Sequence, residues 1–147
     1  MLQKETLVQS LLTSLKPSEL EKVQIPEITR LKDIPQDPKH HPAGDVYVHS
    51  MEVLDRAANL KEAIPWTMDK LVYMLAAWLH DIGKWDKTFY RGKTKRPLTH
   101  WKKDRPRNTR IVSYGHDSAG AEMAGDILQR ELPEKCHSQI PRVEKLI

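Results

Sequence analysis

Apolar positions recur at three- and four-residue spacing through most of the chain, so helices dominate the expected structure. Leu7 or Val8, Leu11 or Leu12, and Leu15 define one face of a helix from Leu2 to Leu15. Pro17-Ser18-Glu19 then interrupts it or starts a second short one. Pro26 to Lys32 predicts another short helix, with proline in the first turn, where its missing N–H costs nothing, and Ile28 and Leu31 facing inward. Pro35, Pro38, Pro42 and Gly44 mark the stretch from Pro35 to Gly44 as a loop. Asp45 is placed to cap the next helix, which runs to about Leu60 with Val46, His49, Val53, Ala57 and Leu60 on one stripe. Ala63-Ile64-Pro65 ends that segment. Thr67 is then expected to cap the most strongly patterned helix, in which Leu71, Met74, Leu75, Trp78 and Leu79 all fall on one face. Gly83 is placed to stop it by adopting a left-handed conformation.

From Trp85 to Tyr114 the helical period is lost. Thr88-Phe89-Tyr90 and Arg110-Ile111-Val112-Ser113-Tyr114 have short-strand character and can pair as a small ribbon. Gly115-His116 opens a further helix to about Leu132, with small residues (Ala119, Gly120, Ala124) on one side that let helices approach closely. Pro133 to Ile140 reads as a loop, and Pro141 starts a last helix that is still short at Ile147. The pattern predicts an all-α fold, a compact helical bundle with one small, partly β-like insertion.

Composition bounds the rest. The chain has 147 residues, which fits one domain, and 39% apolar residues, enough for a core. The single cysteine, Cys136, excludes an internal disulfide and agrees with a cytoplasmic protein. No apolar run approaches the roughly 20 residues of a membrane span, and Gln3, Lys4 and Glu5 break any signal-peptide core, so no membrane partner is expected. The net charge of +4 is unevenly spread. Between Arg91 and Arg110 there are nine Lys/Arg and one acid, Asp104, while the remainder carries 15 Lys/Arg against 19 Asp/Glu. The basicity belongs to one segment, which suggests attraction to an anion. Trp85, Tyr90, Trp101 and Tyr114 lie in or around it, and aromatic rings among cations can stack bases.

The chemistry centres on Trp78-Leu79-His80-Asp81-Ile82-Gly83-Lys84-Trp85, an imidazole and a carboxylate side by side at the end of an apolar helix. A lone helical histidine is most often a core or solvated residue. His49, His80 and His116 gain meaning together, because each sits at a helix end or on an apolar helix face. Imidazole nitrogen with an adjacent carboxylate oxygen suits divalent metals, and such sites support metal-assisted hydrolysis. Lys84, beside the dyad, is placed to hold a phosphate oxygen. His40-His41 reads as structural within the proline-rich loop, and Cys136-His137 lacks partners at zinc-site spacing.

His49, the apolar helix ending in His80-Asp81-Ile82-Gly83-Lys84, and Gly115-His116 opening a new helix together resemble the HD-domain superfamily of metal-dependent phosphohydrolases. The runs Ile25-Pro26-Glu27-Ile28-Thr29-Arg30-Leu31, His41-Pro42-Ala43-Gly44-Asp45-Val46-Tyr47-Val48-His49 and Val53-Leu54-Asp55, with Gly120-Ala121 and Met123-Ala124, resemble the HD domain of bacterial tRNA nucleotidyltransferases, the CCA-adding enzymes. Nothing in the chain resembles their nucleotidyltransferase head. The resemblance covers about Pro26 to Ile147, and the expected organisation is a single HD-type domain over residues 1–147, with 1–25 as an N-terminal helical extension, 86–114 as a basic insertion and an incomplete C-terminal helix. The resemblance implies a divalent metal ion (Mn, Mg, Ni, Co or Fe) held by His49, His80 and Asp81, with His116 on a second metal or on the substrate phosphate. Asp81, Lys84 and His116 become the catalytic candidates, and Lys84, Arg91 and Arg110 the phosphate-binding ones. In that branch the domain is associated with phosphatase and 2′,3′-cyclic phosphodiesterase activity.

The superfamily pattern also has a distal Asp on a later helix. Asp126 is a poor substitute, lying roughly 80° round the helix from His116 by the 3.6-residue period. Asp45 and Asp117 read as helix-start carboxylates. Two functions follow. The first is a phosphohydrolase acting on a nucleotide or RNA-terminal phosphoester. The second is a catalytically incomplete module that binds RNA or another anion through the basic segment. A helix face left uncovered at the C-terminus would favour a homodimer.

Overall fold

The computed structural model describes residues 2–13, 20, 23–92, 97–102 and 104–147. Among these the order of elements is α1 (Leu2–Leu12), α2 (Pro26–Thr29), α3 (Val46–Leu60), α4 (Thr67–Leu79), α5 (Lys84–Lys87), β1 (Phe89–Arg91), β2 (Pro97–His100), β3 (Arg110–Val112), α6 (His116–Glu131) and α7 (Ile140–Leu146). The frame is helical. Short 3-10 segments follow α3 (Lys61–Ala63) and precede α7 (Glu134–Gln139), the second replacing the loop expected from Pro133 to Ile140.

α4 is the axis. Leu71, Val72, Met74, Leu75, Ala76, Trp78 and Leu79 are all buried, as expected of a helix with other helices on several sides. It packs against α1, α3 and α7. Its start differs from the sequence expectation. Trp66, extended and without a side-chain cap, is the N-cap, and its carbonyl accepts the N–H of Lys70; Thr67 is already helical. α1 contributes Leu7, Val8 and Leu11 to the same core. Leu15 and Pro17-Ser18-Glu19 lie outside the described residues. The buried ammonium of Lys61 donates to the carbonyls of Leu11 (3.4 Å) and Thr13 (2.6 Å), closing the C-terminal end of α1.

α3 begins as expected: Asp45 Oδ1 accepts the Val48 N–H at 2.8 Å. Its buried row is Val46, Ser50, Leu54 and Ala57, one residue round from the expected stripe, and Leu60 is 62% exposed. His49 therefore sits at the margin of the buried face rather than within it. Pro26–Thr29 is a shorter helix than expected, yet Ile28 and Leu31 do face inward.

The turn after α4 corrects a second expectation. Gly83 is right-handed (φ −70°, ψ −11°), so it does not end the helix by a left-handed cap. Space is what demands glycine here: a Cβ would lie 2.1 Å from the His116 carbonyl oxygen and 2.6 Å from the Gly120 nitrogen. The turn thus lies directly against the start of α6, from His116 to the buried Gly120. Gly115 enters α6 with φ +76°, which favours glycine.

The expected ribbon forms, with β1 and β3 antiparallel and Tyr90 opposite Ile111. A third strand, β2, pairs on the other edge of β1 and was not foreseen.

Candidate metal centre

α3, the turn after α4 and the start of α6 meet at one buried carboxylate. Asp81 is 3% exposed. Its Oδ2 lies 3.2 Å from His80 Nε2, 3.6 Å from His49 Nε2 and 2.9 Å from Lys84 Nζ. Its Oδ1 lies 3.3 Å from His116 Nε2. The sequence candidates His49, His80, Asp81, Lys84 and His116 are therefore brought together, on elements that are far apart in the chain.

Two of the rings are held from behind. His80 Nδ1 is 2.8 Å from the Ala77 carbonyl oxygen and His116 Nδ1 is 2.7 Å from that of Ser113. A carbonyl only accepts, so Nδ1 carries the hydrogen in each and Nε2 faces the carboxylate. In its neutral form such a ring aims a lone pair at a negative oxygen. That arrangement needs a positive charge, either a proton on Nε2 or a cation between the groups. The donor chemistry fits a divalent metal: the ligand atoms of His49, His80 and Asp81 all lie within 4.8 Å of one another.

The electrostatics agree. Burial pushes the Asp81 carboxyl up, but hydrogen bonds from His116 and His80 and the charge of Lys84 outweigh it, so the group stays ionised well below the usual carboxylate range. Burial opposes charge on His80, yet its hydrogen bond to Asp81 raises the ring overall. His116 is raised chiefly by its bond to Asp81. His49, farther from the carboxylate, is lowered by burial, with Asp81 opposing only in part.

A cleft of about 460 Å³ opens beside this cluster, lined among others by Gln36, His41, Lys84, Arg110, Tyr114 and His116. Arg110 is exposed on its wall. Arg91 reaches the same wall indirectly: its guanidinium lies 5.1 Å from the Tyr114 ring centre and donates to the Tyr114 hydroxyl. Of the four aromatic residues of the basic region, Tyr114 is the exposed one (59%). Trp85 and Trp101 instead pack on each other and on the core, and Tyr90 is buried with its hydroxyl on the Trp101 carbonyl. Lys93, Lys95, Arg96 and Lys103 of that region lie outside the described residues.

Two neighbours of the site have no site role assigned from the sequence. Gln36 is buried and accepts from Lys84 Nζ at 2.8 Å. His41, read as structural, sets its ring edge against His49 (centroids 4.8 Å apart) and lines the cleft. An isolated Gln or His in a proline-rich loop has no periodicity to betray it. Asp126 is exposed, Asp45 is engaged as a cap and Asp117 Oδ1 accepts the Ser118 N–H. His137 is tied to the Leu132 carbonyl, away from the cluster.

Histidines and an aspartate gathered from three helical elements around one turn agree with the HD-type site that the sequence resemblance implies. Residues 46–147 match the HD domain family, and the chain belongs to it, within a superfamily of metal-dependent phosphohydrolases. The chain is similar to the Multifunctional CCA protein of Haemophilus influenzae (strain PittGG), 34% identical over 104 residues, which are 71% of this chain and 20% of that protein. The Multifunctional CCA protein of Aromatoleum aromaticum is 32% identical over 113 residues, 76% of this chain and 22% of its own. That of Methylococcus capsulatus is 48% identical over 59 residues, 40% of this chain and 12% of its own. The chain spans about a fifth of the length of the first two relatives. No solved structure matches it. Among the described residues no helix is long and apolar enough to cross a membrane.

Proposed function

We propose that the protein is a phosphohydrolase acting on a nucleotide or RNA-terminal phosphoester, a monoester or a diester such as a 2′,3′-cyclic phosphate. The observation that carries this reading is the convergence of three imidazole Nε2 atoms and one ammonium on the two oxygens of buried Asp81, beside a cleft lined by Lys84, His116 and Arg110. His49, His80 and Asp81 would hold the metal. When bound, a divalent ion supplies Lewis acidity toward a phosphoryl oxygen and lowers the pKa of water. His116, on the other carboxylate oxygen, would hold a second ion or the substrate phosphate. Lys84 and His116 offset negative charge as it develops on the phosphoryl group. Arg110, and Arg91 beside Tyr114, draw the phosphate into the cleft. The similarity to CCA proteins supports RNA ends as the substrate class.

The test is metal analysis with hydrolysis of a nonspecific phosphodiester and of 2′,3′-cyclic nucleotides, Mn or Ni being added to the wild type and to Asp81→Ala. Wild-type turnover lost in Asp81→Ala is the expected result; turnover indifferent to Asp81→Ala sinks the assignment. A second reading has one observation in its favour: the metal-competent group among the described residues holds a single carboxylate. A module that binds RNA or another anion without hydrolysis would show salt-sensitive RNA binding and no turnover in the same experiment.

A further inference from the structure

Lys84 is 7% exposed and its ammonium has two acceptors, Asp81 Oδ2 at 2.9 Å and Gln36 Oε1 at 2.8 Å. Oδ2 is also the oxygen that faces His49 and His80. A cation held by that triad and the Lys84 ammonium would compete for one oxygen, and two positive charges at that separation repel strongly in a buried site. The ammonium cannot simply be released, because a buried charge without an acceptor is costly. Gln36 supplies the remaining acceptor. It is itself 7% exposed, and its Nε2 donates to the Asp45 carbonyl at 3.4 Å, the N-cap of the helix that carries His49. Lys84 and Gln36 both line the cleft, so an ammonium that leaves Asp81 while keeping Gln36 faces the space open to an anion.

We propose that Gln36 is a positioning residue: it retains the Lys84 ammonium when a divalent ion takes Asp81 Oδ2, so that metal binding turns Lys84 from a partner of Asp81 into a free anion-binding cation of the cleft. The inference rests on the metal reading of His49, His80 and Asp81 and needs no hydrolysis. It makes Lys84 an antagonist of metal binding and Gln36 a supporter of it, acting only through Lys84.

The experiment is calorimetric titration of the full chain with Mn and with Ni, with folding of each variant checked by circular dichroism. Lys84→Met removes the competing charge and tightens metal binding about tenfold. Gln36→Leu leaves the displaced ammonium without its acceptor and weakens binding by about fivefold or more. In the double variant the Gln36→Leu effect disappears, leaving the affinity of Lys84→Met within about twofold, since coupled residues are not additive. A purely structural role for Gln36 would persist in the Lys84→Met background. Where Gln36→Leu does not fold, Gln36→Met serves in its place, and Lys84→Met alone tests the antagonism. Wild type that binds metal, with Lys84→Met unchanged or weaker, or with a Gln36 effect independent of Lys84, overturns this proposal and leaves the metal site standing. Wild type that binds neither ion overturns both.

Discussion

Lys61 is nearly as inaccessible as the leucines around it, at 3% exposure, and no motif in the sequence marks it as buried. Its ammonium donates to two backbone carbonyls at the C-terminal end of α1. Lys61→Met keeps the stem and removes the buried donor that both carbonyls share. The expected loss is about 1–3 kcal/mol in urea denaturation; an unchanged midpoint would mean that the contact contributes nothing. Gly83 makes the opposite point. It is legible as special in the sequence, but for the wrong reason: the constraint is the approach of α6, not the sign of φ. Gly83→Ala drives a methyl into backbone that carries His116, and backbone cannot rotate away. It should cost about 1–3 kcal/mol as an overpacked site and weaken Mn binding as well. A variant with wild-type stability would refute the close-packing account. His80 and Asp81 were readable because the apolar row before them is regular, whereas Gln36 acts through a contact 48 positions away.

What could be read of the helices follows from how strongly one face is buried. α4 shows its whole pattern because seven of its positions are buried. On α3 two adjacent rows are both partly apolar, and only the neighbour decides which one is covered; burial settles on Ser50 and Leu54 rather than His49 and Val53. Helix ends were harder still. Asp45 announces itself because an aspartate caps with its own side chain, but Trp66 caps with none. Strand β2 has no alternation to mark it and exists as a partner of β1. Between elements, Arg130 of α6 grips Glu27 of α2 through two bonds of 2.8 Å. That hydrogen bonding holds the Glu27 carboxyl below its ordinary value. A carboxyl depressed in the folded state stabilises above its unfolded pKa, and the contribution is lost as pH falls through the folded value. Both groups are partly solvated, which limits the gain to at most about 1 kcal/mol. The stability gap between wild type and Glu27→Gln should therefore be largest near neutral pH and close in acid as the folded carboxyl takes up its proton. A gap that widens in acid would have the wrong sign.

The site ties α3, the turn after α4 and α6 to one carboxylate, so a metal bound there acts on the whole fold. Binding to the folded state alone adds about 2.7 kcal/mol at a hundredfold excess over Kd. For a chain of this size that is a rise of about 8 °C in Tm. Mn or Ni should produce it in wild type and not in His80→Ala, measured by thermal unfolding with and without chelator. Equal rises in both would place the metal elsewhere. The charge distribution makes a separate demand. Nine of the cations are gathered in one segment of a molecule that is otherwise net negative, and Arg110 of that segment lines the cleft. A long anion would meet the segment and the cleft together, whereas a mononucleotide fills the cleft alone. For an RNA ending in a 2′,3′-cyclic phosphate, kcat/KM should then fall steeply with salt, and for a cyclic mononucleotide only weakly. Each phosphate contact on a single strand contributes a log–log slope of about 0.7. Arg110→Ala, in the cleft that both substrates enter, should reduce both slopes by about that amount. Identical slopes for the two substrates would show that the basic segment is a solvated surface and plays no part in recognition.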